Sequence, residues 1–265
     1  MKTRRRALGQ HFLHNPRILG RIVAAVDPKP GELVLEIGPG RGALTWPLAA
    51  KAGRVVAVEK DAALIPALEE QKPENVTIIR GDALTVRFQD ILREAGAAPP
   101  IKIAGNLPYS ISGPFLFKFW EERNIFSRGV FLLQKEVAER IAARPGTKDY
   151  APLSILLQIA FEVKVLFKVA PGSFVPPPRV DSALVVLDRR DKPLVDVPDW
   201  GGFRKFLNAA FAHRRKTLVN NLAAAGIPPE TAADALTALG PPLKVRPEQV
   251  SIPLWAALYA KISAP

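Results

Sequence analysis

The sequence predicts an α/β protein: a doubly wound domain over residues 1–188, a linker at 189–202 and a small all-helical domain over 203–265. Three observations carry this. Short apolar runs alternate with helical patterns from Pro28 to about Asp188. The runs are continuously apolar, as in parallel strands covered on both faces. Beyond residue 202 the apolar residues recur at helical spacing only.

Taken in order, "LVLEI" (33–37), "RVVAV" (54–58), "VTIIR" (76–80), "IKIA" (101–104) and "GVFLLQ" (129–134) have strand length and strand composition. Between them "DAALIPALEEQ" (61–71) and "PFLFKFWEE" (114–122) have helical spacing. After a helix-like "YAPLSILLQIAF" (150–161) come "EVKVLFKV" (162–169) and "SALVVLD" (182–188), joined by a Pro-rich turn. With no helix between them, they are expected as an antiparallel pair at the sheet edge. The segment "RRDKPLVDVPDWGG" (189–202) is polar with prolines and glycines, and predicts a linker. Phe203, Phe206, Leu207, Ala210 and Phe211 then form one helical stripe, and Ala-rich helical stretches follow at 222–226 and 231–239.

Composition narrows the chemistry. The 265 residues contain no cysteine, which excludes disulfides, zinc ribbons, iron–sulfur clusters and thiol nucleophiles. His11, His14 and His213 show no metal-site spacing, so no metal is expected. No apolar run reaches the roughly 18 residues of a membrane span. The N-terminus "MKTRRRALGQHFLHNP" lacks the apolar core of a secretion signal, so a cytoplasmic protein without membrane attachment is expected. No coiled-coil heptads are present, and a monomer is expected. The formal charge of +12 favours a polyanionic partner, most simply nucleic acid or a ribosomal surface.

A ligand pocket is expected at the carboxyl ends of the strands. "LVLEIGPGRGALT" places Gly38, Gly40 and Gly42 after the first long strand, where glycines let the backbone approach a ligand closely. Glu36 precedes this loop, Glu59 ends the next strand, placed to grip two ribose hydroxyls, and Asp82 follows the third. Together they predict a nucleoside pocket. A phosphate-cradling Gly-Lys-Ser/Thr is absent. A nicotinamide dinucleotide is not excluded by this region alone. S-adenosyl-L-methionine fits better, because it brings no pyrophosphate that would conflict with a carboxylate beside the loop.

The next strand ends in Asn106-Leu107-Pro108-Tyr109. This suits methylation of an exocyclic adenine amine, a poor nucleophile because its lone pair is delocalised. The side-chain oxygen of Asn106 and a carbonyl such as that of Leu107 would accept its hydrogens and hold the lone pair toward a methyl donor. Pro108 stiffens the turn, and Tyr109 offers a stacking face. Such a base must be unpaired or flipped out. Phe174, before the stiff Pro176–Pro178 turn, either covers the other side of the base or packs in the core.

Two basic clusters are candidates for phosphate contact. Lys2, Arg4, Arg5 and Arg6 begin the chain; Arg214, Arg215 and Lys216 follow the apolar stripe and are expected at the end of that helix.

In its motifs the chain resembles the ribosomal RNA adenine N6-dimethyltransferases, particularly their bacterial small-subunit branch. The resemblance runs through "LGQHFL" (8–13), "EIGPGRGALT", "VAVEKD", "GDAL", "GNLPYSIS", "LLQKEVAERI" (132–141), "FVPPPRVDSAL" and "FAHRRKTLVNNL" (211–222), in order and at family-like spacing. It implies a Rossmann-like class I methyltransferase domain with a small helical domain. It also implies dimethylation of two adjacent adenosines in the 3′-terminal hairpin of 16S rRNA, with the assembling 30S subunit as partner. The implied S-adenosylmethionine site uses His11 and Leu13 with Gly38, Glu59, Asp82 and Asn106; the family often has Asn where His11 stands. Two alternatives remain: an adenine-N6 methyltransferase of 23S rRNA or DNA, and a mainly non-catalytic assembly or transcription factor.

Overall fold

The computed structural model describes residues 10–263. Two compact units divide the described residues: one runs to Ala138 and resumes over Glu162–Arg189, and the other combines Glu139–Phe161 with residues from Arg190 onward. The helical segment 139–161 therefore groups with the C-terminal helices, whereas the sequence pattern predicts a first domain that is continuous to residue 188.

The first unit begins with a short strand, β1 (Phe12–Leu13), and helix α1 (Pro16–Val26). Asn15 caps α1 by accepting from the amides of Arg17 and Ile18, with Pro16 in the first turn, and Ile22, Val23 and Val26 face the core. The chain then alternates through β2 (Leu33–Ile37), α2 (Thr45–Ala49), β3 (Arg54–Glu59), α3 (Ile65–Gln71), β4 (Val76–Arg80), α4 (Phe88–Glu94), β5 (Ile101–Asn106), α5 (Ser112–Glu121) and β6 (Phe126–Gln134), and leaves the unit within α6 (Lys135–Ile141). Helix α7 (Pro152–Ala160) belongs to the second unit, and β7 (Phe161–Val169), β8 (Phe174–Val175) and β9 (Ser182–Arg189) complete the first.

Seven strands form one sheet in the order β4-β3-β2-β5-β6-β9-β7. Strands β2 to β6 run parallel, and β9 is antiparallel to β6. Strand β2 is central and all five of its residues are buried, which is why it reads as an unbroken apolar run around Glu36. Strands β7 and β9 are neighbours at the end of the sheet, where the sequence places the two late strands. Strands β1 and β8 pair antiparallel as a separate ribbon, Leu13 opposite Phe174. This ribbon packs the N-terminal segment beside the carboxyl edge of the main sheet, through Leu13 and Phe174 in the core.

The second unit carries, besides α7, helices α8 (Trp200–Ala210), α9 (Leu218–Ala224), α10 (Pro229–Leu239) and α11 (Ile252–Ile262). Phe203, Phe206, Leu207 and Ala210 form the buried stripe of α8, with Trp255 of α11 edge-on to Phe206 at 5.9 Å. Helix α8 starts within the expected linker: Asp199 caps it by accepting from the amides of Gly201 and Gly202, each at 3.0 Å. The two glycines that mark a break in the sequence lie in the first helical turn. No helix among the described residues is long and apolar enough to cross a membrane.

Candidate functional site

Parallel pairing brings the carboxyl ends of β2, β3, β4 and β5 to one edge, and with them Glu36, Glu59, Asp82 and Asn106. The loop after β2 passes between the first two. Gly40 donates its amide to Glu59 Oε2 at 3.1 Å, and Asp61 donates to Glu59 Oε1 at 2.8 Å. Each carboxylate oxygen thus keeps lone pairs for a further donor. Gly42 has φ of +82°, and a Cβ there would fall 2.2 Å from the Trp46 ring, so this turn requires glycine on both counts.

Two buried carboxyls face this loop. Glu36 is 1 % exposed, and its Oε2 has no hydrogen-bond partner among the described residues. Burial pushes the Glu36 carboxyl up to about 8, and the charge of Glu59 adds to the effect. Burial likewise raises Glu59, which the amides of Asp61 and Gly40 partly offset. Asp82 is held below its usual range by a hydrogen bond from Lys60, 2.7 Å away.

Cavities open on both sides of Gly38. One of about 180 Å³ is lined by Gly38, Glu59, Lys60, Asp82 and Ile111. Another of about 390 Å³ is lined by Leu13, Glu36, Gly38, Arg41 and Asn106. A larger space of about 500 Å³ lies at the opposite, amino edge of the sheet beside Arg54 and Lys102, and none of the predicted residues borders it.

At the end of β5 the polar side chains are already oriented. Asn106 donates its side-chain N–H to the carbonyl of His11 at 2.8 Å. With the amide nitrogen engaged, the side-chain oxygen is the atom left to receive a donor. The His11 ring lies 5.3 Å from the Tyr109 ring, tilted by 33°, and its Nδ1 is 2.7 Å from the carbonyl of Pro176. Leu107 is buried, and the carbonyl of Pro108 accepts from Ser112 Oγ and the amide of Ile111, which makes the turn rigid. A narrow cleft of about 50 Å³ between His11, Gly38, Glu59, Asn106 and Tyr109 joins the predicted cofactor and acceptor residues.

Of the two placements open to Phe174, the structure has the packed one. The ring is 2 % exposed and belongs to the core cluster with Leu13, Leu132 and Leu184. Strand pairing of β8 with β1 turns it inward and leaves Val175 exposed.

The candidate phosphate contacts divide. Lys2, Arg4, Arg5 and Arg6 lie outside the described residues. Arg214, Arg215 and Lys216 are exposed but are not at a helix end: α8 stops at Ala210, and they occupy the loop before α9. Asn221, fully buried, shapes this loop by accepting from the amide of His213 and donating to the carbonyls of His213 and Thr217. The Arg214 guanidinium donates to the carbonyl of Lys148 in the same unit. Sequence reasoning missed Asn221, Lys60 and Ser182, whose partners are legible only in three dimensions. Among the described residues no group of three or more His, Asp and Glu side chains is arranged to hold a metal ion.

Residues 1–250 match the family described as ribosomal RNA adenine dimethylase. The ribosomal RNA small subunit methyltransferase A of Geobacter sulfurreducens is 46 % identical over 258 residues, spanning 96 % of this chain and 93 % of that protein. Its counterpart in Pelotomaculum thermopropionicum is 48 % identical over 233 residues, spanning 85 % and 79 %. Among solved structures, a dimethyladenosine transferase from Plasmodium falciparum superposes with a TM-score of 0.75 at 26 % identity, covering 94 % of this chain and 96 % of that one. The 23S rRNA methyltransferase ErmE gives 0.65 at 26 % identity, over 96 % and 100 %.

Proposed function

The chain belongs to the ribosomal RNA adenine dimethylase family, and on that premise we propose that it transfers methyl groups from S-adenosylmethionine to N6 of two adjacent adenosines in the 3′-terminal hairpin of 16S rRNA. The product is N6,N6-dimethyladenosine, made on the maturing small subunit by a cytoplasmic monomer.

The observation that carries this reading is the orientation of Asn106. Its nitrogen is committed to His11, so its oxygen accepts an N6–H of the target base, and the Leu107 carbonyl accepts the other. Both bonds favour a pyramidal nitrogen with its lone pair aimed at the methyl donor, so catalysis works through position and electrostatics. Tyr109 stacks on the base, which reaches the cleft only when unpaired or flipped.

The residues fit S-adenosylmethionine. Three carboxyls stand at the ends of β2, β3 and β4, and the ligand offers three matching donors: an ammonium group, two ribose hydroxyls and an adenine amine. Glu36, buried with an oxygen unpartnered, suits the cation and is ill-matched to a pyrophosphate. Glu59 takes the ribose and Asp82 the adenine amine, while His11, Leu13, Gly38 and Gly40 line the space between. When bound, S-adenosylmethionine supplies an electrophilic sulfonium methyl; the chain supplies its alignment and the exclusion of water. Arg214, Arg215 and Lys216, with Arg4, Arg5 and Arg6, hold RNA phosphates without reading sequence.

The test is tritiated S-adenosylmethionine with under-methylated 30S subunits, 50S subunits and duplex DNA in parallel, followed by nucleoside analysis. Label in N6,N6-dimethyladenosine from 30S alone is expected. Label in 50S subunits or DNA would assign the chain a different substrate, and cofactor binding with no label anywhere would make it an assembly factor.

A further inference from the structure

Tyr109 is held at two points. Its hydroxyl lies 2.6 Å from Ser182 Oγ, with either atom able to donate, and its ring leans on that of His11. Ser182 is the first residue of β9, paired with Gln134 at the end of β6, and it is completely buried. The backbone around it is therefore fixed by the sheet, and its hydroxyl cannot turn to water. If the Tyr109 ring swung away, a buried hydroxyl would be stranded without that partner, which opposes the motion.

From this pairing we propose that Ser182 is a positioning residue for the target base: it tethers the phenol oxygen and, together with the His11 contact, holds the Tyr109 ring in place at the cleft before RNA arrives. The inference rests on the reading that Tyr109 stacks on the base. A ring already held in position loses little side-chain freedom on binding, whereas an untethered ring must be ordered at the expense of affinity. Because the stack exists with substrate bound and persists through transfer, the tether acts on KM for RNA and leaves kcat alone.

The experiment compares Tyr109→Phe, Ser182→Ala, the double variant and Tyr109→Ala, with methyl transfer to under-methylated 30S subunits at saturating S-adenosylmethionine. Tyr109→Phe removes the same bond from its other end and keeps the serine side chain in the core, so it remains informative if Ser182→Ala folds poorly. Each single removal of the bond is expected to raise KM for 30S by roughly three- to tenfold with kcat unchanged. The double variant is expected to match the singles, and Tyr109→Ala to be worse than all three. Multiplying effects in the double variant, or parent-like KM in both Tyr109→Phe and Ser182→Ala while Tyr109→Ala is impaired, would overturn the role of Ser182 and leave stacking intact. A parent-like Tyr109→Ala would overturn the stacking reading and this inference with it.

Discussion

The side-chain nitrogen of Asn106 and the main-chain carbonyl of His11 are 2.8 Å apart across 95 residues of sequence. The hydrogen bond ties the end of β5 to the segment that enters β1, and it decides which face of the amide is presented to the cleft. It uses the backbone of His11, so it does not depend on which side chain stands there. The bond is therefore compatible with His or with Asn at this place, the alternative that the motif resemblance implies.

His11→Asn is accordingly expected to keep cofactor affinity within about fivefold, since the change removes only the ring's approach to Tyr109 and Pro176. Equilibrium dialysis with labelled S-adenosylmethionine measures this. A hundredfold weakening would show that the side chain itself holds the ligand.

Glu36 gives a pH dependence with a definite sign. Its carboxyl moves from 4.5 to about 8 on folding, chiefly through burial. Below 4.5 it is protonated in both folded and unfolded chains and costs nothing. As pH rises through the window to 8, the unfolded chain ionises it first, and the folded protein loses stability relative to it. Glu36→Gln removes that loss, so the cofactor-free variant is expected to gain on the parent as pH rises from 5 to 8, by on the order of a few kcal/mol. Thermal melts at pH 5, 6.5 and 8 check it, and a constant difference would contradict it.

Gly105 sits directly before Asn106, opposite Ile37 in the β2–β5 pairing. A Cβ there would meet the Ile37 carbonyl at 2.7 Å, and a main-chain atom in a central sheet cannot move aside. Gly105→Ala is expected to cost about 1–3 kcal/mol of stability. It is also expected to reduce methyl transfer more than cofactor binding, because it displaces Asn106. Urea titration beside a rate assay separates the two effects.

The basic loop before α9 is expected to act through charge alone. Replacing Arg214, Arg215 and Lys216 with Gln should weaken 30S binding and flatten the slope of log affinity against log salt, by about one unit for each phosphate no longer neutralised. An unchanged slope would place the RNA elsewhere.

Much of the frame was legible because its signals are local. The runs at 33–37 and 54–58 are buried almost throughout and read as strands, the run at 76–80 reads as one from its Val and Ile content although it lies at the sheet edge with only Val76 buried, and these strands set where Glu36, Glu59 and Asp82 emerge. What stayed hidden depends on pairings distant in sequence. Strands β1 and β8 are two residues each and pair across more than 150 residues, so no periodicity reveals them or turns Phe174 inward. Phe211 continues the apolar stripe of α8 although the helix has ended at Ala210, which is why the pattern predicts the basic residues on a helix and they lie in a loop. Asn221 and Ser182 are small polar residues in apolar surroundings, and their function is visible only in the groups they reach.

The central claim is that the Asn106 side chain organises the acceptor amine, and single-turnover methyl transfer to under-methylated 30S subunits at saturating S-adenosylmethionine tests it most directly. Asn106→Ala, folded as judged by its melt and still able to bind cofactor at the concentration used, is expected to transfer methyl groups roughly 10²–10³-fold more slowly than the parent. A rate within about threefold of the parent, too small a change for removal of a catalytic acceptor, would contradict the account.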